Sequence, residues 1–311
     1  MIGVAISECK GAKVKNFSRL IQSTQEDRFH RIDYEYIRYD RNLPDFFVQN
    51  GMKKRERGDT NKYYEFVEQK SKKYNIPILI RELPVIRQIC IGQTDKHTMW
   101  RDRWIRTSWN SFYMDEGLHP YDPTYARWDD IKKEYNIIVN EWRERGSHIL
   151  FCLQLDGDSA LNRIIYDGGS YKEYCYNKIL EIRKHTDRPI KIRNHPLDKG
   201  VGKYLKNKFI NDTTILFSQG TTLEEDLNNC YCMVTYNSTS CVEAAINGTY
   251  VIVLDPSAVA NPVSNRIRNI EYLKDFDREE WFNRISFMQW QGKEMTSGYV
   301  WDLLKKAAKF S

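Results

Sequence analysis

Apolar residues along this chain fall into short runs separated by stretches with helical spacing. Residues 2–7 (IGVAIS), 45–51 (DFFVQNG) and 76–82 (IPILIRE) are dominated by apolar side chains and close on a polar or glycine residue. Each predicts a strand. Between them, residues 8–13 (ECKGAK) predict a glycine-containing turn leading into a helix. Residues 62–75 (KYYEFVEQKSKKYN) carry apolar positions at helical spacing. Strands alternating with helices predict a mainly parallel sheet covered by helices. Residues 93–130 break the rhythm, being rich in Trp, Arg, His and Pro. They predict a long ordered loop of the kind that carries function.

The second half repeats the rhythm more cleanly. Residues 129–146 predict a helix and 147–155 (SHILFCLQL) a strand. A helix follows at 171–186, then a strand and loop at 189–196 (PIKIRNHP) and a strand at 213–220 (TTILFSQG). A short helix at 223–230, a strand at 231–237 (YCMVTYN), a helix at 238–248 and a strand at 249–256 complete the series. The fold class this predicts is α/β, with two doubly wound Rossmann-like domains, residues 1–146 and 147–311. Sheets of this kind bind ligands at the carboxyl ends of their strands. Residues 297–311 predict an amphipathic final helix beginning at Ser297.

Composition narrows the class. With 311 residues, 41% hydrophobic and 29% charged, the chain reads as an ordinary globular protein of about two domains. No segment has the apolar length of a membrane span, and the first residues read as a strand rather than a signal peptide. Seven cysteines form no CxxC pair, and Cys230 and Cys232 alternate within a predicted strand. That usage implies reduced thiols and a cytoplasmic location. A net charge of +6 permits a polyanionic partner without requiring one. The 20 Tyr and 8 Trp often sit beside Arg or Lys, as in residues 103–113 (RWIRTSWNSFY) and 125–130 (YARWDD). Such pairs suit nucleic acids or sugars, and equally a core with arginine stems laid around it.

Four stretches carry candidate chemistry. A strand delivers Tyr236 and then Asn237, Ser238, Thr239 and Ser240 to the start of a helix, with Glu243 one turn on. Unpaired backbone N–H groups, hydroxyls and the positive end of a helix dipole meet there, which makes an anion seat. Capping alone needs one of those polar residues. Arg193 and His195 follow another strand, where cations can neutralise a diphosphate and stabilise a departing phosphate oxygen. Ser218 to Thr221, including Gln219 and Gly220, end a third strand where backbone atoms can meet a base. Asp226 or Glu225 complements the next helix's N-terminus. Asp156-Gly157-Asp158 forms a DxD, a pair of acids that can hold a divalent metal or cap the turn that follows.

The order R-x-H-P (193–196), T-L-E-E-D-L (222–227) and V-T-Y-N-S-T-S-x-x-E-A-A-x-x-G-x-x-V-I-V-L-D-P (234–256) resembles the nucleotide-sugar domain of GT-B glycosyltransferases. It is most similar to capsule-type, Kdo-transferase-like enzymes and related phage glycosyltransferases. Residues 286–304 resemble the close of those chains, and the likeness is specific from about Gly146 onward. It implies a GT-B-like pair of domains facing a cleft, with the last helix (286–311) crossing back to the first domain. It implies a nucleotide-sugar donor, UDP- or CMP-linked, without a required metal. Arg193 and His195 would lie at the phosphates, Ser238 and Ser240 at the helix N-terminus, and Glu243 at the ribose.

The first domain is then expected to hold the acceptor and a general base. Glu82, closing an apolar strand, is the chosen base; Glu8 and Asp45 at strand ends and His97, Asp115 and His119 in the loop are the other candidates. Arg87, Arg106, Trp109 and Asn110 are the expected acceptor contacts. The acceptor expected from the basic, aromatic loop is a hydroxymethylated pyrimidine such as hydroxymethylcytosine in double-stranded phage DNA, flipped out of the helix. A surface polysaccharide or lipid-linked glycan is the alternative. A non-catalytic nucleic-acid-binding protein on the same fold is a third reading.

Overall fold

The computed structural model describes residues 1–6, 20–21, 23, 26–32, 43–51, 55–56, 59–60, 62–90, 102–143, 145–161, 163–164 and 168–310. The expected turn at 8–13 and the helix after it lie outside those residues, as do Glu8 and His97. The chain divides into two units: Met1–Tyr135 with Phe282–Ser311, and Asn136–Trp281.

The first unit opens with β1 (Ile2–Ile6), β2 (Arg28–Ile32), β3 (Phe46–Asn50) and a short antiparallel pair, β4 (Arg55–Glu56) and β5 (Asp59–Thr60). Helix α1 (Lys62–Tyr74), β6 (Ile78–Glu82), β7 (Trp104–Trp109) and α2 (Arg127–Tyr135) follow. The second unit carries β8 (His148–Cys152), α3 (Tyr171–Arg183), β9 (Ile190–Arg193), α4 (Val201–Lys208) and β10 (Ile215–Phe217). It continues through α5 (Leu223–Leu227), β11 (Cys230–Thr235), α6 (Ser240–Ile246) and β12 (Tyr250–Val253). Helix α7 (Glu279–Ser286) spans the border, and β13 (Gln289–Gln291) and α8 (Tyr299–Ala307) belong to the first unit.

The first unit's sheet has the order β13-β7-β6-β3-β1-β2. Its β2, β1, β3 and β6 are parallel, and β7 runs antiparallel to both of its neighbours, β6 and β13. Alternation along β3 sends Phe46 and Val48 to one apolar layer and Phe47 to the other, as the strand period of two requires. Helix α1 closes one face with Phe66 and Val67, and Asn75, at φ 54°, ends it in the left-handed region. The other face is closed by α8, whose Val300, Trp301 and Leu304 are wholly buried. The final helix therefore completes the core of the unit with which the chain begins. Trp301 Nε1 donates to Asp27 Oδ2 at 2.6 Å, and Arg127 binds Glu294 at 2.6 Å.

Residues 104–109 depart from the expected loop. They form β7, all six residues buried, hydrogen-bonded between β6 and β13. The Trp and Arg side chains that make WIRTSW look like a binding loop are the ones this strand packs inward.

The second unit's sheet is parallel throughout, in the order β10-β9-β8-β11-β12. Every residue of β8, β11 and β12 is buried, Cys230 and Cys232 included, as expected of strands covered on both faces. Strand order reverses between β8 and β11, the switch point at which such sheets open a crevice.

The expected helix over 129–146 stops at Tyr135. Asn136 takes φ 51°, and the β-branched Ile137, Ile138 and Val139 are poor helix formers. Residues beyond it form an extended arm on the second unit: Asn140 N donates to Ile246 O (2.9 Å) and Arg143 N to Gly248 O (2.7 Å). The Trp142 ring stacks on Tyr250 at 5.0 Å and 5°. These bonds place 136–146 with the second unit, ahead of the split expected at Gly146.

Candidate functional site

The carboxyl edge of the second sheet gathers residues from four neighbouring strands. Strand β9 ends on Arg193, whose guanidinium is turned toward the loop after β10. Its Nη1 donates to Asp226 Oδ2 (2.5 Å) and Gly220 O (3.0 Å), and Nη2 to Thr221 O (3.3 Å). Asp226, on α5, is 2% exposed. It also accepts from Ser218 Oγ at 2.5 Å and lies 3.8 Å from Lys191 Nζ. Ser218 Oγ in turn accepts from Gly220 N at 3.0 Å. A buried carboxylate thus ties two cations and the 218–221 loop into one unit.

The role expected of either acid at this helix start is Glu225's alone. Its carboxylate accepts from Thr221 N (2.8 Å) and Oγ1 (3.0 Å), while Thr222 Oγ1 accepts from Glu225 N (3.3 Å). This reciprocal capping holds its carboxyl below the usual range. Gln219 is exposed.

His195 stands two residues beyond Arg193, and its Nδ1 accepts from Leu197 N at 3.1 Å. A backbone N–H can only donate, so the neutral imidazole carries its proton on Nε2. Asp198 occupies the N-terminus of α4, accepting from Val201 N and Gly202 N, both at 3.1 Å.

At the switch point Asn237 is pinned to Gln154, which follows β8. Asn237 N donates to Gln154 Oε1 (2.8 Å) and Gln154 Nε2 to Asn237 Oδ1 (2.9 Å). Asn237 Nδ2 donates to Ala160 O at 3.0 Å. Its side chain is spent on joining the β8 and β11 loops. Ser238 Oγ accepts from Ser240 Oγ (2.9 Å) and Ser240 N (3.3 Å), so its own O–H proton is the one directed elsewhere. Thr239 and Glu243 are half-buried on the same turn. Tyr236 is buried at 6% exposure. Of the DxD pair, Asp158 Oδ1 caps the next turn by accepting from Ala160 N at 2.8 Å. Among the described residues no group of three His, Cys, Asp or Glu side chains is placed to hold a metal ion.

In the first unit, Glu82 closes β6, its Oε1 accepting from Leu83 N at 2.9 Å. Gly51 ends β3 at φ +76°, and a Cβ there would sit 3.2 Å from Glu82 Oε2. Arg106 is opposite Glu82 in the β6–β7 register. It is 5% exposed, Nη2 donates to Phe112 O, and among the described residues Nε has no partner. Burial pulls this guanidinium down to about 10, against the opposing pull of Glu82. Trp109 and Asn110 lie at the other end of β7, where Trp109 faces Leu79, about 10 Å along the strand at the usual rise per residue.

The four expected acceptor contacts are therefore not brought together. Trp109 is corrected from acceptor contact to core residue: it is wholly buried, edge-to-face with Phe46 at 5.3 Å, and Nε1 donates to Leu304 O at 2.7 Å. Asn110 Oδ1 accepts from Ile78 N at 3.0 Å, and its φ of 63° closes the strand. Arg87 is exposed, as are Asp45 and Asp115. Gln154 is a functional-edge residue that sequence reasoning missed, and Asp226 one that it considered only for the helix N-terminus. The only local signal for Gln154 was a lone amide in an apolar run.

Comparison with known proteins fits this geometry. A family model described as capsule polysaccharide biosynthesis protein matches residues 119–258. Two solved structures from Thermosulfurimonas dismutans are similar in fold. KpsC, beta Kdo 2,4 transferase, has TM-score 0.55 and 13% identity, with 92% of this chain and 91% of that chain covered. KpsC, beta Kdo 2,7 transferase, has TM-score 0.53 and 11% identity, with 96% and 98% covered. No curated protein sequence matches. The chain has the GT-B-like α/β fold of two parallel-sheet domains and resembles capsule-type, Kdo-transferase-like chains. None of the matches named above is phage-encoded in its description. Among the described residues no helix is long and apolar enough to cross a membrane.

Proposed function

We propose that this protein is a glycosyltransferase that moves a sugar from a nucleotide-sugar donor to a hydroxyl of a surface polysaccharide or lipid-linked glycan. The observation that carries this reading is the clustering at one sheet edge of His195, the 218–221 loop and Ser238, beside the β8–β11 switch point. His195 Nε2–H and the Ser238 hydroxyl donate to the donor's phosphate oxygens and stabilise the charge that grows as the nucleotide departs. Arg193 acts as a positioning residue, its fork spent on Asp226 and two carbonyls. Glu243 accepts from the ribose hydroxyls. Glu82 is the proposed base for the acceptor proton, held beside the buried Arg106 cation.

The donor is a UDP- or CMP-sugar. The family model's description favours a glycan acceptor. Support for a hydroxymethylated base in DNA came from the Trp- and Arg-rich stretch, and Trp104, Arg106 and Trp109 are core side chains. The test is a nucleotide-sugar panel read by hydrolysis and melting shift. The donor found is then offered, radiolabelled, with oligosaccharides and with hydroxymethylated duplex DNA. Label in the oligosaccharide with DNA inert supports the proposal. Label in DNA alone, or a panel with neither shift nor hydrolysis, refutes it.

A further inference from the structure

The same sheet edge holds a second feature on the β12 side of β11, away from Arg193. A cavity of ≈ 390 Å³ opens between Arg163 and Gly169 before α3, Tyr174 on α3, and Tyr236, Leu254 and Asp255 after β11 and β12. The Tyr174 and Tyr236 rings meet edge to face, 5.5 Å apart at 85°. Asp255 is 3% exposed. Its Oδ1 accepts from Ser257 N at 2.7 Å and Arg163 Nη1 at 3.3 Å. Among the described residues its buried Oδ2 has no hydrogen-bond partner. Burial, and then this carboxylate, push the Tyr236 phenol well above its usual range.

A buried carboxylate oxygen left without a donor carries an uncompensated desolvation cost. Mostly apolar walls with a few fixed polar groups are the usual make-up of a small-ligand site. Rings at 85° form no parallel slot for a flat base. They suit instead a puckered ring whose C–H face lies on one tyrosine and whose hydroxyls reach past it.

We propose that this cavity is the subsite for the donor's sugar ring, with a sugar hydroxyl donating to Asp255 Oδ2 and the two tyrosines as walls. Arg163 orients the carboxylate. The inference rests on the donor reading above and adds to it the place and the partner of the transferred group.

The experiment titrates wild type, Asp255→Asn and Tyr174→Ala with UDP, CMP, UDP-glucose, UDP-N-acetylglucosamine and CMP-N-acetylneuraminate, by calorimetry. Asparagine keeps an acceptor for Ser257 N and replaces Oδ2 with a donor. The expected result is a nucleotide sugar that loses about tenfold in affinity relative to its parent nucleotide, the scale of one hydrogen bond to a charged acceptor. Parent-nucleotide affinity serves as the check that the variant is folded. Tyr174→Ala is expected to shift the ratio in the same direction. An unchanged ratio in both variants, whether the two affinities hold or fall together, overturns the subsite and leaves the donor reading standing. Wild type that binds neither nucleotides nor nucleotide sugars overturns both.

Discussion

Replacing Asp226 by Asn tests how the candidate donor edge is held. The carboxylate is 2% exposed, with Arg193 Nη1 and Ser218 Oγ each at 2.5 Å and Lys191 Nζ at 3.8 Å. Asparagine keeps the shape but offers one acceptor oxygen and no charge. Removing one partner of a buried pair typically costs ~3–5 kcal/mol. Arg193 and Lys191 keep 16% and 26% exposure, and that remaining water reduces the expected loss to about 2–3 kcal/mol. For a unit of this size the melting temperature falls by roughly 5–10 °C. Nucleotide-sugar affinity falls as well, because Arg193 no longer anchors the Gly220 and Thr221 carbonyls. Urea denaturation of Asp226→Asn, Arg193→Met and the double variant reads the coupling. The double variant should be little worse than either single one, since both remove the same pair. A single-variant loss under about 0.5 kcal/mol, or strict additivity of the two, would refute the reasoning.

Three further outcomes are expected. Burial, then the neighbouring Arg106 charge, pull the His119 imidazole down to about 4 from the usual 6.5. The unfolded chain therefore binds a proton first on acidification, and stability falls between pH 6.5 and about 4. His119→Gln should remove that slope from denaturation midpoints, and an identical slope in the variant counts against it. Trp109→Ala should cost ~3–5 kcal/mol in chemical denaturation, since it empties core volume and removes the indole's hydrogen bond to the Leu304 carbonyl; a loss below about 1 kcal/mol contradicts its burial. Glu225 has its carboxyl lowered from 4.5 by Thr221, so its capping is present above that pH and lost as pH falls through its lower folded value. The melting difference between wild type and Glu225→Gln should accordingly vanish by strongly acid pH, and a pH-independent difference would dismiss the carboxylate as its cause.

Much of the second unit was legible because doubly covered parallel strands leave continuous apolar runs, as in His148–Cys152 and Tyr250–Val253, buried throughout. The strand Trp104–Trp109 was not, because alternating bulky and polar residues look like a solvent-facing loop. Only its neighbours on both sides, β6 and β13, make Arg106 and Thr107 interior residues. The strand-to-helix joint at Asn237–Ser240 was readable from local residue types. Which of Glu225 and Asp226 turns inward was not, since that depends on the phase of a five-residue helix. The Gln154–Asn237 pair joins residues 83 positions apart, and no local pattern announces such a partner.

Because β13 and α8 complete the core begun by β1, the first unit cannot finish folding as it leaves the ribosome. Its early strands must wait while the whole of the continuous second unit is synthesised, a delay on the order of 10 s at usual elongation rates. Through that interval the apolar face of Phe46, Leu79 and Trp109 stands uncovered. The nascent chain is then exposed to aggregation and open to a chaperone, and the arrival of α8 ends that vulnerability.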